Sequence, residues 1–236
     1  MIQSIHKTNE KAVFKTDMDT TLANAIRRSV NEIPILAIDE VEIYKNDSAL
    51  NDQILAHRIG LVPLKNQKLK EDKVIEMKLE VKTGKESKEV VAGEMKGEIV
   101  YPDMSLVYLE KGQELEIVAK AKVGKGISHA KYIPGLVFYR HYPKIQISKD
   151  GEKHQELAEF YPKIFEFSAG KLKVKNEWEC TIDQEDVKDF SGVEIKETGD
   201  LIFTIESWGQ ISPKEIFLEA IKAINNNLEK LSKELK

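Results

Sequence analysis

The chain has 236 residues, of which 41% are hydrophobic and 32% charged, a mixture that supports a packed core and excludes an extended disordered chain. Its formal net charge is −4, without the basic footprint of an autonomous nucleic-acid binder, and its single cysteine, Cys180, rules out an intrachain disulfide or an all-cysteine metal site. No apolar run approaches the ~20 residues that span a bilayer, and Met1–Glu10 lacks the apolar core of a secretory signal, so a cytoplasmic protein without membrane contact is expected.

The N-terminus alternates like a strand around Ile5 and Ala12-Val13-Phe14. Asp19, Thr20 or Thr21 can N-cap the next segment, because a short side-chain oxygen satisfies an orphan helix N–H. Leu22, Ala25, Ile26, Val30 and Ile33 then recur at helical spacing, with Arg27, Arg28 and Asn31 opposite, which predicts a helix over Thr20–Ile33 ended by Pro34. Ile35 to Tyr44 reads as a buried strand that becomes half-exposed. Ser48 is placed to cap a second helix running to about Ile59, with Gly60 just beyond its end.

Short strands are expected at Lys73–Val81, Val90–Val100 and Glu114–Ala121, separated by turns at Gly84, Pro102-Asp103 and Lys111-Gly112. Asp200–Glu206 is a further strand. Ser212-Pro213-Lys214-Glu215 combines an N-cap serine, a proline at the first helical position and a glutamate that reaches back, a capping box. Phe217, Ala220, Ile221, Ile224, Leu228 and Leu231 follow as one apolar stripe, which needs a partner surface in its own sheet or in another chain.

Signals of catalysis are absent from this pattern. None of the five histidines lies three or four residues from another, so no helical histidine metal pair exists. Val123-Gly-Lys-Gly126 fails the phosphate-loop pattern, with Ala119 at the upstream glycine position and Gly126 where serine or threonine belongs. No Gly-x-Ser-x-Gly elbow occurs. The chain is therefore read as having no active site of its own.

Three motifs carry a family resemblance. Asp19-Thr-Thr-Leu-Ala-Asn-Ala-Ile-Arg-Arg-Ser-Val-Asn-Glu-Ile-Pro34, continuing into Ala37–Ile43, resembles the first-helix motif of the RNA polymerase alpha family. Leu55-Ala-His-Arg-Ile-Gly-Leu-Val-Pro-Leu64 resembles the second hallmark of that family's archaeal D-type and eukaryotic third-largest-subunit branch. Val100–Asp103 with Gly124-Lys-Gly-Ile-Ser-His-Ala-Lys-Tyr-Ile-Pro-Gly135 supplies a third match. The resemblance implies an α+β fold. A discontinuous alpha-type dimerisation domain would be built from residues 1–46 and 193–236, with an inserted mostly-β domain over 47–154 and a degenerate ferredoxin-like insertion over 155–192.

The resemblance also implies a role. The chain would be a non-catalytic component of DNA-directed RNA polymerase that pairs with an L-type subunit and joins small subunits of the N and P type. Together they would form a platform for the large catalytic subunits, meeting DNA only indirectly. By the same resemblance the pairing surface comprises Leu22, Ala25, Ile26, Arg27, Arg28 and Val30 of the first helix, with Phe217, Ile221, Ile224 and Leu228 of the last. Ala25 is small enough to let backbones approach, and the two arginines can make charge-assisted bonds to a large neighbour. His57 and Arg58 would face the second-largest subunit, or simply cap their own helix, where cations are favoured.

Cys180-x2-Asp183-x2-Asp186-x3-Phe190-Ser191 keeps the spacing of a bacterial-ferredoxin cluster motif but only one of its thiols. Some archaeal members of the family carry an iron–sulfur insertion, so these positions are read as the remnant of one. No cofactor is expected, since a [4Fe–4S] cluster normally needs four thiolates, and packing of Phe190 is expected to take the cluster's place. Two other readings stand beside the leading one: a ferredoxin-type redox protein, resting on the Cys180 spacing, and a homodimeric alpha-like assembly factor.

Overall fold

The computed structural model describes residues 2–67 and 73–235. In chain order the elements are β1 (Gln3–Lys7), β2 (Lys11–Thr16), α1 (Thr20–Ser29), β3 (Pro34–Asn46), α2 (Asp52–Gly60), β4 (Ile75–Lys82), β5 (Lys88–Val91) and β6 (Ser105–Leu109). β7 (Glu114–Lys125), β8 (Gly135–Ile147), α3 (Gln155–Phe160), β9 (Phe165–Ser168), β10 (Lys171–Val174), β11 (Val193–Ser207) and α4 (Pro213–Glu234) follow. The fold is mixed, with a four-stranded sheet in the order β1-β2-β11-β8, a three-stranded sheet β3-β7-β4, and two-stranded ladders β5-β6 and β9-β10. The side chain of Ile5 lies outside the described residues.

The chain divides into two compact units. One comprises Met1–Lys7, Val13–Ala23 and Phe138–Thr204; the other comprises Thr8–Ala12, Asn24–Val137 and Ile205–Lys236. Of the segments expected from the sequence, 155–192 lies wholly in the first unit and 193–236 is shared between the two. β3 pairs antiparallel with β7 from Pro34↔Lys125 to Asn46↔Leu115, so one sheet joins residues on both sides of position 46.

The second unit is built on period-2 burial. Met77, Leu79 and Val81 of β4 and Leu115, Ile117, Ala119 and Ala121 of β7 point to one face, which Leu55 and Ile59 of α2 help to cover. Ile35 to Ile38 of β3 are all buried, and alternation begins only at Asp39, so the expected change from buried to half-exposed strand is present. The first unit packs Leu157, Ile164, Phe165, Leu172, Val187, Val193 and Ile195 around Cys180. Phe203 stacks on Phe14 at 5.4 Å and on Tyr139 at 6.2 Å, in the offset geometry that aromatic quadrupoles favour.

Four local expectations change. α1 stops at Ser29 and a 3-10 turn, Val30–Glu32, completes the segment to Pro34, which starts β3 instead of merely ending a helix. α2 is capped by Asn51, whose side chain accepts from Ile54 N at 2.9 Å; Ser48 lies upstream, bonded to Asn46. Gly60 is the last helical residue of α2 and not the one beyond it. The strand expected over Val90–Val100 ends at Val91, where a 3-10 turn, Ala92–Glu94, brings Gly93 N to Pro102 O at 2.8 Å. The capping box at Ser212 forms as written, with Ser212 Oγ accepting from Glu215 N and Glu215 accepting from Ser212 N.

Candidate partner interface

α1 begins where Asp19 accepts from Thr21 N at 2.7 Å, satisfying an orphan N–H of the first turn. The apolar stripe read from its sequence is then split. Ile26 is 2% exposed and Val30 is also buried, whereas Leu22 is 50% exposed and Ala25 is half-buried. Arg27 and Arg28 are exposed in the last turn, and Arg27 Nη2 donates to Asn24 Oδ1 at 2.8 Å. A face drawn through all of these residues is thus not one open surface: Ile26 and Val30 are already covered within the single chain.

α4 shows the same division along its length. Ile216 and Ala220 are buried, and the Asn227 amide donates to Glu32 Oε2 at 2.8 Å, which ties the helix to the 3-10 turn after α1. Next to that packed face, Phe217, Ile221, Ile224, Leu228, Leu231 and Leu235 repeat at alternating steps of four and three residues, the spacing of a coiled-coil seam. Phe217, Ile221 and Ile224 are half-buried, but Leu228 is 58%, Leu231 52% and Leu235 78% exposed. Leu228 and Leu231, followed by Leu235 at the C-cap just past the helix, form a stripe, not scattered apolar residues, and such stripes mark interaction sites.

The alpha-like motifs meet at a side chain that sequence reasoning does not single out. The Asp39 carboxylate of β3 receives Lys122 Nζ at 2.6 Å, Lys131 Nζ at 2.8 Å and Tyr132 Oη at 2.8 Å. Both Ala37–Ile43 and His129–Tyr132 are legible as motifs, and only the fold brings them together. The glycines between explain the geometry: a Cβ on Gly124 would fall 2.5 Å from the Tyr132 ring, and one on Gly126 would press against Asn31. Val123–Gly126 is therefore the end of β7 and its turn, with Gly124 paired to Ile35, and not a phosphate cradle.

Lys122 first, then Lys131, hold the Asp39 carboxyl well below the usual carboxylate range. The sign follows directly. With the folded pKa below the unfolded one, the stabilisation is present at neutral pH and is lost as pH falls below the unfolded value of about 4. Asp39→Asn is expected to lower stability by about 1–2 kcal/mol at pH 7. Thermal unfolding of both chains from pH 7 downward should show that gap start to narrow below about pH 4 and go on narrowing toward the depressed folded-state pKa.

His57 and Arg58 occupy the last turn of α2 as expected. Arg58 Nη2 donates to Ser105 O of β6 at 2.9 Å, so its head group ties α2 to the neighbouring ladder, while His57 remains exposed. The stretch around Cys180 is occupied differently again. The thiol is buried, donates to Ile182 O at 3.4 Å, and is pushed up in pKa by that burial. Arg140 donates to the carbonyls of Cys180 and Trp178. Asp183 Oδ1 accepts from Glu185 N at 2.7 Å, and Asp186 Oδ2 accepts from Asp183 N at 2.9 Å, so both carboxylates cap a turn. Phe190 packs on the core around Cys180 and meets His154 edge-on at 5.3 Å. Among the described residues, no three His, Cys, Asp or Glu side chains are grouped to hold a metal ion, and no helix is long and apolar enough to cross a membrane.

Comparison with known proteins agrees with this arrangement. The family described as the RNA polymerase Rpb3/Rpb11 dimerisation domain matches residues 13–228. The chain is 30% identical to the DNA-directed RNA polymerase subunit Rpo3 of Pyrococcus horikoshii over 99% of its own length and 97% of the relative. It is 33% identical to the Rpo3 subunit of Methanothermobacter thermautotrophicus, with 95% of each chain covered. The DNA-directed RNA polymerases I and III subunit rpac1 of Dictyostelium discoideum is 30% identical over 91% of this chain and 75% of the relative. With a match of that extent, and with the helices and motifs in the order described, this chain belongs to the RNA polymerase Rpb3/Rpb11 dimerisation domain family.

Proposed function

We propose that the chain is the alpha-like, D-type component of a cytoplasmic DNA-directed RNA polymerase, with no catalytic site of its own. It pairs with a small L-type subunit, and the pair, with small subunits of the N and P type, forms the platform on which the large catalytic subunits assemble. The observation that carries this reading is the exposed leucine stripe of α4, an unfilled helix seam in a chain whose family is defined by dimerisation. Co-expression with an L-type subunit is expected to give a stable one-to-one heterodimer. A chain that purifies as a homodimer and ignores the L-type subunit overturns this reading in favour of the homodimeric one.

Within this reading, residues 47–154 are the inserted mostly-β domain and residues 155–192 a ferredoxin-like remnant that holds no cluster. The donor set supports that. One buried thiol faces a carbonyl, both motif carboxylates are engaged by backbone N–H groups, and Phe190 packs half-buried against the core around Cys180. Side-chain packing around Cys180 takes over the cohesion that a cluster gives elsewhere. Anaerobically purified protein is expected to contain no stoichiometric iron or sulfide and to lack visible absorption; a stoichiometric cluster sinks the proposal and revives the redox reading.

A further inference from the structure

The two halves of α4 are held in different ways. Up to Ile224 each turn of the helix buries or half-buries apolar side chains, among them Ile216, Ala220 and Ile224. From Asn225 to Leu235 every side chain is exposed. Among the described residues, one side chain of this second half is bonded to another element: Asn227 Nδ2 donates to Glu32 Oε1 at 3.0 Å and to Oε2 at 2.8 Å. Beside that bond a depression of about 340 Å³ lies between Lys230 and Lys233 of the helix and Pro34 and Lys125 of β3 and β7. The last turns therefore stand off the rest of the second unit instead of packing on it.

The sequence adds a weak point where the support ends. Asn225-Asn-Asn227 sets three poor helix formers in succession, because an asparagine amide competes for nearby backbone groups. The first half of α4 supplies the helical nucleus, so continuation is decided residue by residue. Most helical stability in proteins comes from packing an apolar face, and the face formed by Leu228, Leu231 and Leu235 lies in water. Glu229 and Lys233 stand four apart in the favourable order, which adds only a small support.

We propose that α4 beyond Asn225 melts and re-forms as a separate unit in the unpaired chain, and is held as helix only when the L-type subunit covers its leucines. Glu32 is a positioning residue in this scheme: it clips Asn227, keeps the first distal turn formed and aims it along the seam. The inference rests on the pairing reading above and concerns its energetics. Part of the interaction free energy goes into ordering the segment, so affinity follows the helix content of the unpaired chain. Melting also breaks up the leucine stripe, since three leucines on a coil do not form one continuous apolar face, and this disfavours association of unpaired chains with one another.

Hydrogen exchange of the full-length unpaired chain, read by mass spectrometry, tests the melting without any partner. Amides of residues 228–235 are expected to exchange roughly 100-fold faster than those of 218–224, and pairing should remove most of that difference. Asn226 is exposed and lies off the leucine stripe, so Asn226→Ala and Asn226→Gly change helix propensity and leave the seam alone. The alanine variant should slow exchange over 228–235 and bind the L-type subunit about fivefold more tightly than the glycine variant. Glu32→Ala should speed exchange over the same residues. Slow exchange there in the unpaired chain, or equal affinity of the alanine and glycine variants, overturns the proposal and leaves the pairing standing. Fast exchange without any heterodimer overturns the pairing reading instead.

Discussion

Ile26→Asp is expected to unfold the single chain, not to uncouple it from a partner. Ile26 is 2% exposed before any second subunit is present, so the new carboxylate is cut off from the water that would solvate it. A charge left unpaired in such a site costs about 3–5 kcal/mol, a large part of the roughly 5–15 kcal/mol that holds a typical domain together. At a urea m-value near 2 kcal/mol/M, that lowers the unfolding midpoint by about 2 M. The control is Leu22→Asp on the same helix: Leu22 is 50% exposed, and its substitution should leave the midpoint within about 0.3 M, since surface changes usually stay within ±0.5 kcal/mol. Equal effects at the two positions would show that the burial of α1 is misassigned.

That pair of residues also shows where the sequence stops being readable. Periodicity reveals which side chains share a helical face, and Leu22 and Ile26 do. It does not reveal which layer covers each turn, because that layer comes from segments far away in the chain. Devices contained in a few residues are legible in full. The Ser212 box needs only Ser212 and Glu215, and the alternation of Met77, Leu79 and Val81 needs only β4. β8 escapes such a reading because Pro143 and the adjacent Arg140-His141 interrupt any alternation, although the strand runs unbroken from Gly135 to Ile147. The Asp39 cluster escapes it for a different reason. Asp39 lies more than eighty residues from its three partners in sequence, and nothing local about an aspartate in a strand announces two lysines and a tyrosine.

The docking surface follows the same logic, and it yields the sharper experiment. Leu228→Asp/Leu231→Asp should leave the folded chain intact, because both side chains are exposed, 58% and 52%, and neither belongs to the core around β3, β4 and β7. In the heterodimer each carboxylate would be carried into the closed seam next to Leu235 and Ile224, where no cation of α4 lies on the same stripe. The cost falls on association alone. A loss of at least 100-fold in affinity for the L-type subunit is expected, about 2.7 kcal/mol, which is modest for two charges buried at an interface. Titration calorimetry of the two purified subunits measures it, with circular dichroism and the urea midpoint of the unpaired chain unchanged. Taken with Ile26→Asp, the result separates two roles that one amphipathic pattern conceals: α1 holds the chain together from inside, and the far half of α4 is the part left for another subunit. If the double variant paired at wild-type affinity, the seam would lie elsewhere, and the exposed leucines of α4 would need a different occupant.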